Sequence, residues 1–348
     1  NHTKIKKRFI ATKAEKILDA PELKDNFYIN ILDWNINNII SIALGTVVYL
    51  FDCTTSNINI LYDTNNPNNF ITSVKWTNNG NHLGIGLNNG NVLLYDVKKN
   101  KKLRTIKTHN DRVGSLAWNK YILSLGSKTS KISNHDVRIR DHLLSIINDH
   151  EQEICGLKWD NNGKYLCSGG NDNKCFVYDY NNINNDECIP LYSFNDCNSA
   201  VKAIAFCPWD TNLLSTGGGT GDRNIRLYNL KNGELIKEID SNSQVCSLIF
   251  NPFDKELLSS HGFSKYQLSI WKYPNMIKTH DLIGHQSRVL HTSLSPNGNI
   301  VCSAAADETL RFWNVFQNTK NLNNKNNINK NIDTINITKQ SKLYSKIR

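Results

Sequence analysis

The stretch that decides the fold is Ile71–Asp96, ITSVKWTNNGNHLGIGLNNGNVLLYD. It opens on a short apolar run closed by Trp76. It then passes Asn79-Gly80 and Asn89-Gly90, dipeptides that favour tight hairpin turns. It closes on the aromatic–acid pair Tyr95-Asp96. Both Val74-Lys75-Trp76 and Leu87 to Asp96 read as strand, because they alternate or run apolar and are rich in Val, Leu and aromatic side chains.

Both closing marks of this stretch recur. The aromatic–acid mark, with some substitution, appears at Phe51-Asp52, Tyr95-Asp96, His135-Asp136, Tyr178-Asp179, Tyr228-Asn229, Trp271-Lys272 and Trp313-Asn314. Its spacings are 44, 40, 43, 50, 43 and 42. The earlier mark appears at Trp34, Trp76, Trp118, Trp159, Phe206, Phe250 and Leu294, spaced 42, 42, 41, 47, 44 and 44. Two independent marks sharing one period of that length are the signature of WD-type repeats, each a four-stranded blade. The expected fold is therefore all-β, a seven-bladed WD-repeat β-propeller over residues 16–317. No helical period of useful length interrupts it. Residues 1–15 form a basic arm, and residues 318–348 a flexible Asn/Lys-rich tail.

A ring of blades must close on itself or leave a sheet edge open to other chains. The last blade runs out near Phe316. Lys16 to Leu23 is thus expected to supply its missing outer strand, which places Asp19 beside the Asp307–Trp313 stretch.

Charge is uneven. Residues 1–16 carry +5 and residues 318–348 carry +6, against +10 for all 348 residues, so the body between them is near −1. A nucleic-acid-binding domain carries its basic stripe on the folded body, and basic flanks read as tails. Nucleic acid is not the expected partner. The nine cysteines include no CxxC pair, and most fall in strand-like runs, where a buried reduced thiol is the expected state. The most apolar run, Ile39 to Phe51, is too short and too interrupted to span a bilayer. No signal peptide, metal-ligand spacing or cofactor motif is present. Asparagine crowds the loops as a compositional bias. The chain begins at Asn1 rather than Met, which reads as a fragment or processed form.

Two sets look catalytic: His150, Ser168, Asp172 and Tyr178, and His285, Ser303, Asp307 and Trp313. The set recurs in two blades, whereas a hydrolase needs one. The expected role is a buried hydrogen-bond network that fixes blade geometry. The run Gly217-Gly218-Gly219-Thr220-Gly221 lacks the Gly-Lys-Ser/Thr ending of a phosphate loop and reads as a tight turn. No catalytic residue is expected.

Several strings are more specific than any repeat. They are KILDAPELKDNFYINILDW (16–34), DRVGSLAW (111–118), ICGLKW (154–159), GGNDN (169–173), TGGGTGDR (216–223) and HGFSKYQLSIWKYPN (261–275). RVLHTSLSPNG (288–298), SAAADETLRFWNVF (303–316) and the terminal Ile347-Arg348 complete the set. Together they resemble the Fizzy and Fizzy-related family, WD-repeat co-activators and substrate adaptors of the anaphase-promoting complex, a ubiquitin ligase.

The resemblance implies a non-enzymatic adaptor acting in cell division, in nucleus and cytoplasm. Its partners would be subunits of that ligase, degron-bearing substrates such as cyclin-like proteins, and checkpoint inhibitors. It implies that an Arg-x-x-Leu destruction box lies between the first and last blades, with its arginine on Asp19 and Glu308 and its leucine by Leu18. Two carboxylates suit a guanidinium fork. It further implies that a Lys-Glu-Asn signal is read by Asn26, Phe27, Tyr49, Asn171, Asn173, Thr220, Gln244 and Arg288. Arg288 would take the glutamate. Asn26 stands where the family usually has an acid, and Phe27 where it usually has tyrosine. Blade three, SKTSKISNHDVR (127–138), lacks the usual Arg-Ser-Gly and His-rich run, so an auxiliary groove there is expected to be altered. Ile347 and Arg348 would dock in a helical-repeat groove of the ligase, tethered by residues 317–346. Arg8-Phe9-Ile10 precedes KILDAPEL as in the family, and no ligase-activating C-box is legible. The alternative is a WD-repeat scaffold of another complex.

Overall fold

A computed structural model describes residue 10, residues 12–183 and residues 188–316. Ile347, Arg348 and the basic C-terminal tail lie outside the described residues, as do most residues of the N-terminal arm.

The described chain forms seven four-stranded antiparallel sheets. Six take four consecutive strands each. Blade one, for example, is built from Leu32–Trp34, Ile39–Leu44, Val47–Asp52 and Ile58–Asp63. The seventh takes three late strands, Val289–Leu294, Ile300–Ala305 and Thr309–Asn314, and borrows Lys16–Asp19 as its outer strand. Lys16 faces Phe312 and Asp19 faces Thr309. The expected closing strand is present but shorter than Lys16 to Leu23. Ala20 N–H donates to the Glu308 carbonyl at 2.7 Å. Pro21 then has no N–H to offer, and Glu22 turns the chain with φ 65°.

The expected run Leu87 to Asp96 also divides. One strand ends at Leu87, Asn89-Gly90 turns, and the next begins at Val92. Gly90 (φ +87°) holds that turn, because a Cβ there would meet the His109 carbonyl oxygen at 2.3 Å. A single helical turn, Tyr180–Ile183, is the one helix among the described residues. The loop asparagines have a physical role. The side-chain oxygens of Asn66, Asn79, Asn89, Asn232 and Asn297 each accept the backbone N–H two residues on, closing a turn. All nine cysteines are free and seven are buried. Burial pushes the thiols of Cys155 and Cys246 up to about 12, so they stay protonated and inert.

The first strand of each blade lines a central channel of about 610 Å³. In blades two to seven the first strand bulges near its start, at Ile71/Ser73, Val113/Ser115, Ile154/Gly156, Val201/Ala203, Val245/Ser247 and Val289/His291. Bulges re-aim side chains. The extra residue in blade five is Lys202, whose Nζ donates to the carbonyls of Ile29 and Leu290 across the channel. Asn30 Nδ2 donates to the carbonyls of Gly114 and Cys155 in blades three and four. The segment between the closing strand and blade one therefore crosses the channel mouth and is pinned there from three sides. Ile29 is fully buried in it.

Candidate functional site

Two patches draw on the expected residues, one at the rim and one over the channel. The rim patch rests on the buried network of blade seven. Burial alone would raise the Asp307 pKa. Hydrogen bonds from His285 Nδ1 (2.9 Å), Gln286 N–H (2.9 Å) and Thr309 outweigh that and hold the carboxyl well below its usual range. The ionised Asp307 fixes the His285 tautomer, so Nε2 accepts from the Ser303 hydroxyl at 2.7 Å. Trp313 Nε1 donates to the same hydroxyl at 2.8 Å. The network clamps the turn Ala306–Glu308, with Glu308 left-handed at φ 57° and exposed.

The closing strand brings Asp19 to that turn, as the register reading expects. Glu308 Oε1 accepts the Glu22 backbone N–H at 3.2 Å. Asp19 is exposed, and its carboxylate has no hydrogen-bond partner among the described residues. Leu18 is half-buried against the core shared by blades one and seven. The seam is closed by apolar packing, with Trp34 edge-on to Phe312 at 5.7 Å. Sequence reasoning missed Glu22. The turn signalled by Ala20-Pro21 was the clue that the chain doubles back onto Glu308 there.

The second patch surrounds the channel mouth. Arg288, just before the last blade, holds an internal carboxylate: Asp25 Oδ1 accepts from Nε at 2.9 Å and from the terminal nitrogen at 2.5 Å. Gln244 Oε1 accepts a longer bond from the same guanidinium, 3.4 Å. Asn171 accepts from the Tyr28 hydroxyl at 2.9 Å and donates to Gln152 at 2.5 Å. Beside them Arg112 and Glu153 form a two-point pair, both bonds 2.5 Å. Asn173 (φ 66°) and the exposed Thr220 sit at the tips of the second-to-third-strand turns of blades four and five.

Three of the expected residues stand apart. Phe27 is buried, only 6% exposed, with Lys202 Nζ 5.5 Å from its ring centre. Asn26 spends its side-chain oxygen on the Tyr28 N–H at 2.9 Å. Tyr49 lies within the third strand of blade one, half-buried and paired with Ile42 and Ile60. Asp25, Tyr28 and Phe263 were not singled out from sequence. Phe263 is 53% exposed, and the Arg288 guanidinium carbon lies 5.8 Å from its ring centre.

The other buried networks differ blade by blade. In blade four His150 joins Asp172 (2.9 Å) and Ser168 (2.8 Å), and the Tyr178 hydroxyl donates to Asp149 at 3.1 Å. Asp172 caps the backbone N–H groups of Glu151 and Lys174, tying the inter-blade loop to the turn. In blade three no carboxylate among the described residues takes part. His109 and His135 both meet Ser133 at 2.8 Å, and His135 meets His142 at 2.8 Å. The Gly217–Gly221 run supplies a strand end at Gly217-Gly218 and then a turn. Ser168 and Ser303 are wholly buried, their hydroxyls already engaged.

Residues 18–313 match the model of the CDC20/Fizzy WD40 domain. The chain belongs to the CDC20/Fizzy family. It is 47% identical over 330 residues to the anaphase-promoting complex subunit cdc20 of Dictyostelium discoideum, a match covering 94% of this chain and 66% of that protein. It is 47% identical over 312 residues to cell division cycle 20.1, cofactor of APC complex, of Arabidopsis thaliana, covering 89% and 68%. A chain in the crystal structure of a mitotic checkpoint complex superposes with a TM-score of 0.86 at 42% identity, covering 91% of this chain and 96% of that one. The chain spans about two thirds of the length of the first of these CDC20/Fizzy relatives.

Proposed function

We propose that this chain is a non-enzymatic substrate-recognition adaptor and activator of the anaphase-promoting complex. In this reading the rim holds an Arg-x-x-Leu destruction box, and the channel mouth holds a Lys-Glu-Asn signal. Its CDC20/Fizzy membership and relatives named as cofactors of that complex support the reading. Ubiquitin transfer would take place on other subunits. Ile347 and Arg348 would dock the chain to a helical-repeat subunit, and checkpoint inhibitors would compete for the same propeller.

The observation that carries the reading is the rim. Asp19 and Glu308 come from opposite ends of the sequence and lie exposed on one edge, on a turn made rigid by a buried network. Glu308 accepts a single backbone N–H, and neither acid is paired with a cation among the described residues. Rigid, unneutralised carboxylates are pre-organised for a guanidinium, which brings a planar fork of donors. Leu18 beside them offers an apolar partner for a residue three positions further along an extended peptide.

Fluorescence anisotropy of a labelled Arg-x-x-Leu peptide, titrated with this chain and with its Glu308→Lys variant, tests it. Saturable binding lost in the variant is the expected result. A folded chain that binds no such peptide at millimolar concentration would remove the rim from the proposal.

A further inference from the structure

The channel-mouth patch contains an anion of its own. We infer that Asp25 is an exchangeable counter-ion and a specificity residue of this patch. It holds Arg288 in the free protein, yields it to an acidic side chain of the ligand, and then receives the cation that precedes that acid. The inference rests on the Lys-Glu-Asn reading proposed above.

Arg288 is positioned to accept a carboxylate, because one already sits on it. The seat is incomplete. Of the Asp25 carboxylate only Oδ1 is used, by two guanidinium nitrogens, with a longer bond of 3.5 Å to the Asp25 backbone carbonyl, whereas a ligand carboxylate could engage with both oxygens. The Asp25 side chain is 54% exposed against 17% for Arg288, so the anion is the half of the pair facing solvent. An ion pair so exposed is held weakly. Replacing one carboxylate by another on the same guanidinium is close to an even exchange.

The exchange also supplies what position 26 lacks. Asn26 carries no charge, and its amide oxygen is committed to the Tyr28 N–H. Four other acids around the mouth already have partners. Glu153 is locked by both oxygens to Arg112, Glu151 pairs with Lys174 at 2.6 Å, Asp111 pairs with Lys128 at 3.1 Å, and Asp172 is buried on His150. Lys24, the cation nearest in sequence, lies over the Phe70 ring at 4.6 Å. Once displaced, Asp25 is the acid free to meet a ligand cation. A ligand bearing a cation and an acid in adjacent positions therefore satisfies both halves of the broken pair. A ligand bearing only the acid leaves Asp25 unpaired.

A two-by-two binding cycle tests this. Labelled Lys-Glu-Asn and Ala-Glu-Asn peptides are titrated by anisotropy into the parent chain and into Asp25→Asn, with thermal unfolding followed in parallel. In the parent, losing the lysine weakens binding roughly fivefold. In Asp25→Asn the same loss changes affinity less than about twofold, and the Ala-Glu-Asn peptide binds the variant more tightly than the parent because Arg288 no longer carries a competing carboxylate. An equal lysine effect in both proteins overturns the inference. Arg288→Ala separates the two levels. If Arg288→Ala binds the Lys-Glu-Asn peptide as well as the parent does, the channel-mouth reading itself falls and the inference with it. If Arg288 is required but the cycle shows no coupling, only the role of Asp25 falls.

Discussion

The rim and the channel mouth solve opposite electrostatic problems. At the rim the acids are unneutralised, and the backbone beneath them is fixed by His285, Asp307, Ser303 and Trp313. At the mouth the cation is already neutralised by Asp25, and the segment carrying that acid is pinned across the channel by Asn30 and Lys202. The first site waits with unspent charge and should respond to single changes of sign. The second must trade one ion pair for another, so its affinity is a difference between similar terms. A net gain from such a trade is smaller than either pair alone.

The largest effect expected from this contrast is at the rim. Glu308→Lys places a cation where a guanidinium should bind, and Arg-x-x-Leu affinity should fall by more than about thirtyfold in an anisotropy titration. The same variant should leave Lys-Glu-Asn binding within about twofold, since the sites share no residue. Equal losses for both peptides would merge the two patches into one. Next is Arg288→Ala, expected to weaken the Lys-Glu-Asn peptide roughly tenfold and the Arg-x-x-Leu peptide hardly at all.

A third test asks whether the rim is rigid because of its network. Asp307→Ala removes the acceptor of His285, Gln286 and Thr309. It should cost about 2–4 kcal/mol in chemical denaturation, because buried donors lose their partner. It should also weaken Arg-x-x-Leu binding, although residue 307 offers the ligand nothing directly. Stability lost with affinity intact would show that the turn holds its shape without the network.

The smallest effect is one of pH. Burial holds His109 at about 4 and His135 at about 3 in blade three. The neighbouring histidine charge lowers His135 further. Both folded pKa values lie below the ordinary one near 6.5. Their neutral state thus supports the fold above that pH, and the support is lost as pH falls through 6.5 towards 4, where the unfolded chain binds protons first. The melting temperature should drop across that window. Replacing His109 and His135 by Gln should flatten the slope there. Blade seven adds His285 and His291, likewise depressed by burial, to the same window, while its depressed Asp307 gives up stability only below the ordinary carboxyl range.

The sequence carried the fold because the period is local information repeated seven times. Trp76 and Tyr95 mark one blade as clearly as Trp34 and Phe51 mark another. The rim was legible for a related reason, since closing a ring forces Lys16–Asp19 onto Thr309–Asn314. The channel mouth was only partly legible. Residues 24–31 have no period of their own, and their path is set by Asn30 reaching blades three and four and by Lys202 reaching Ile29. Those contacts are non-local, so nothing near Phe27 announces that it is buried. Nothing near Asp25 announces a partner 263 positions away. The blade-four set has a further member that spacing did not show, Asp149, which accepts the Tyr178 hydroxyl at 3.1 Å.

The borrowed outer strand has a consequence for biosynthesis. Residues 16–19 are synthesised nearly three hundred residues before the strand they pair with. Until then blade seven has no outer strand, and Asp19 and Glu308 share no edge. A nascent or truncated chain can stack six blades and still present no rim site. On the proposed reading, binding of an arginine-bearing peptide would report that synthesis reached the final repeat, and an unfinished chain would lack the rim altogether.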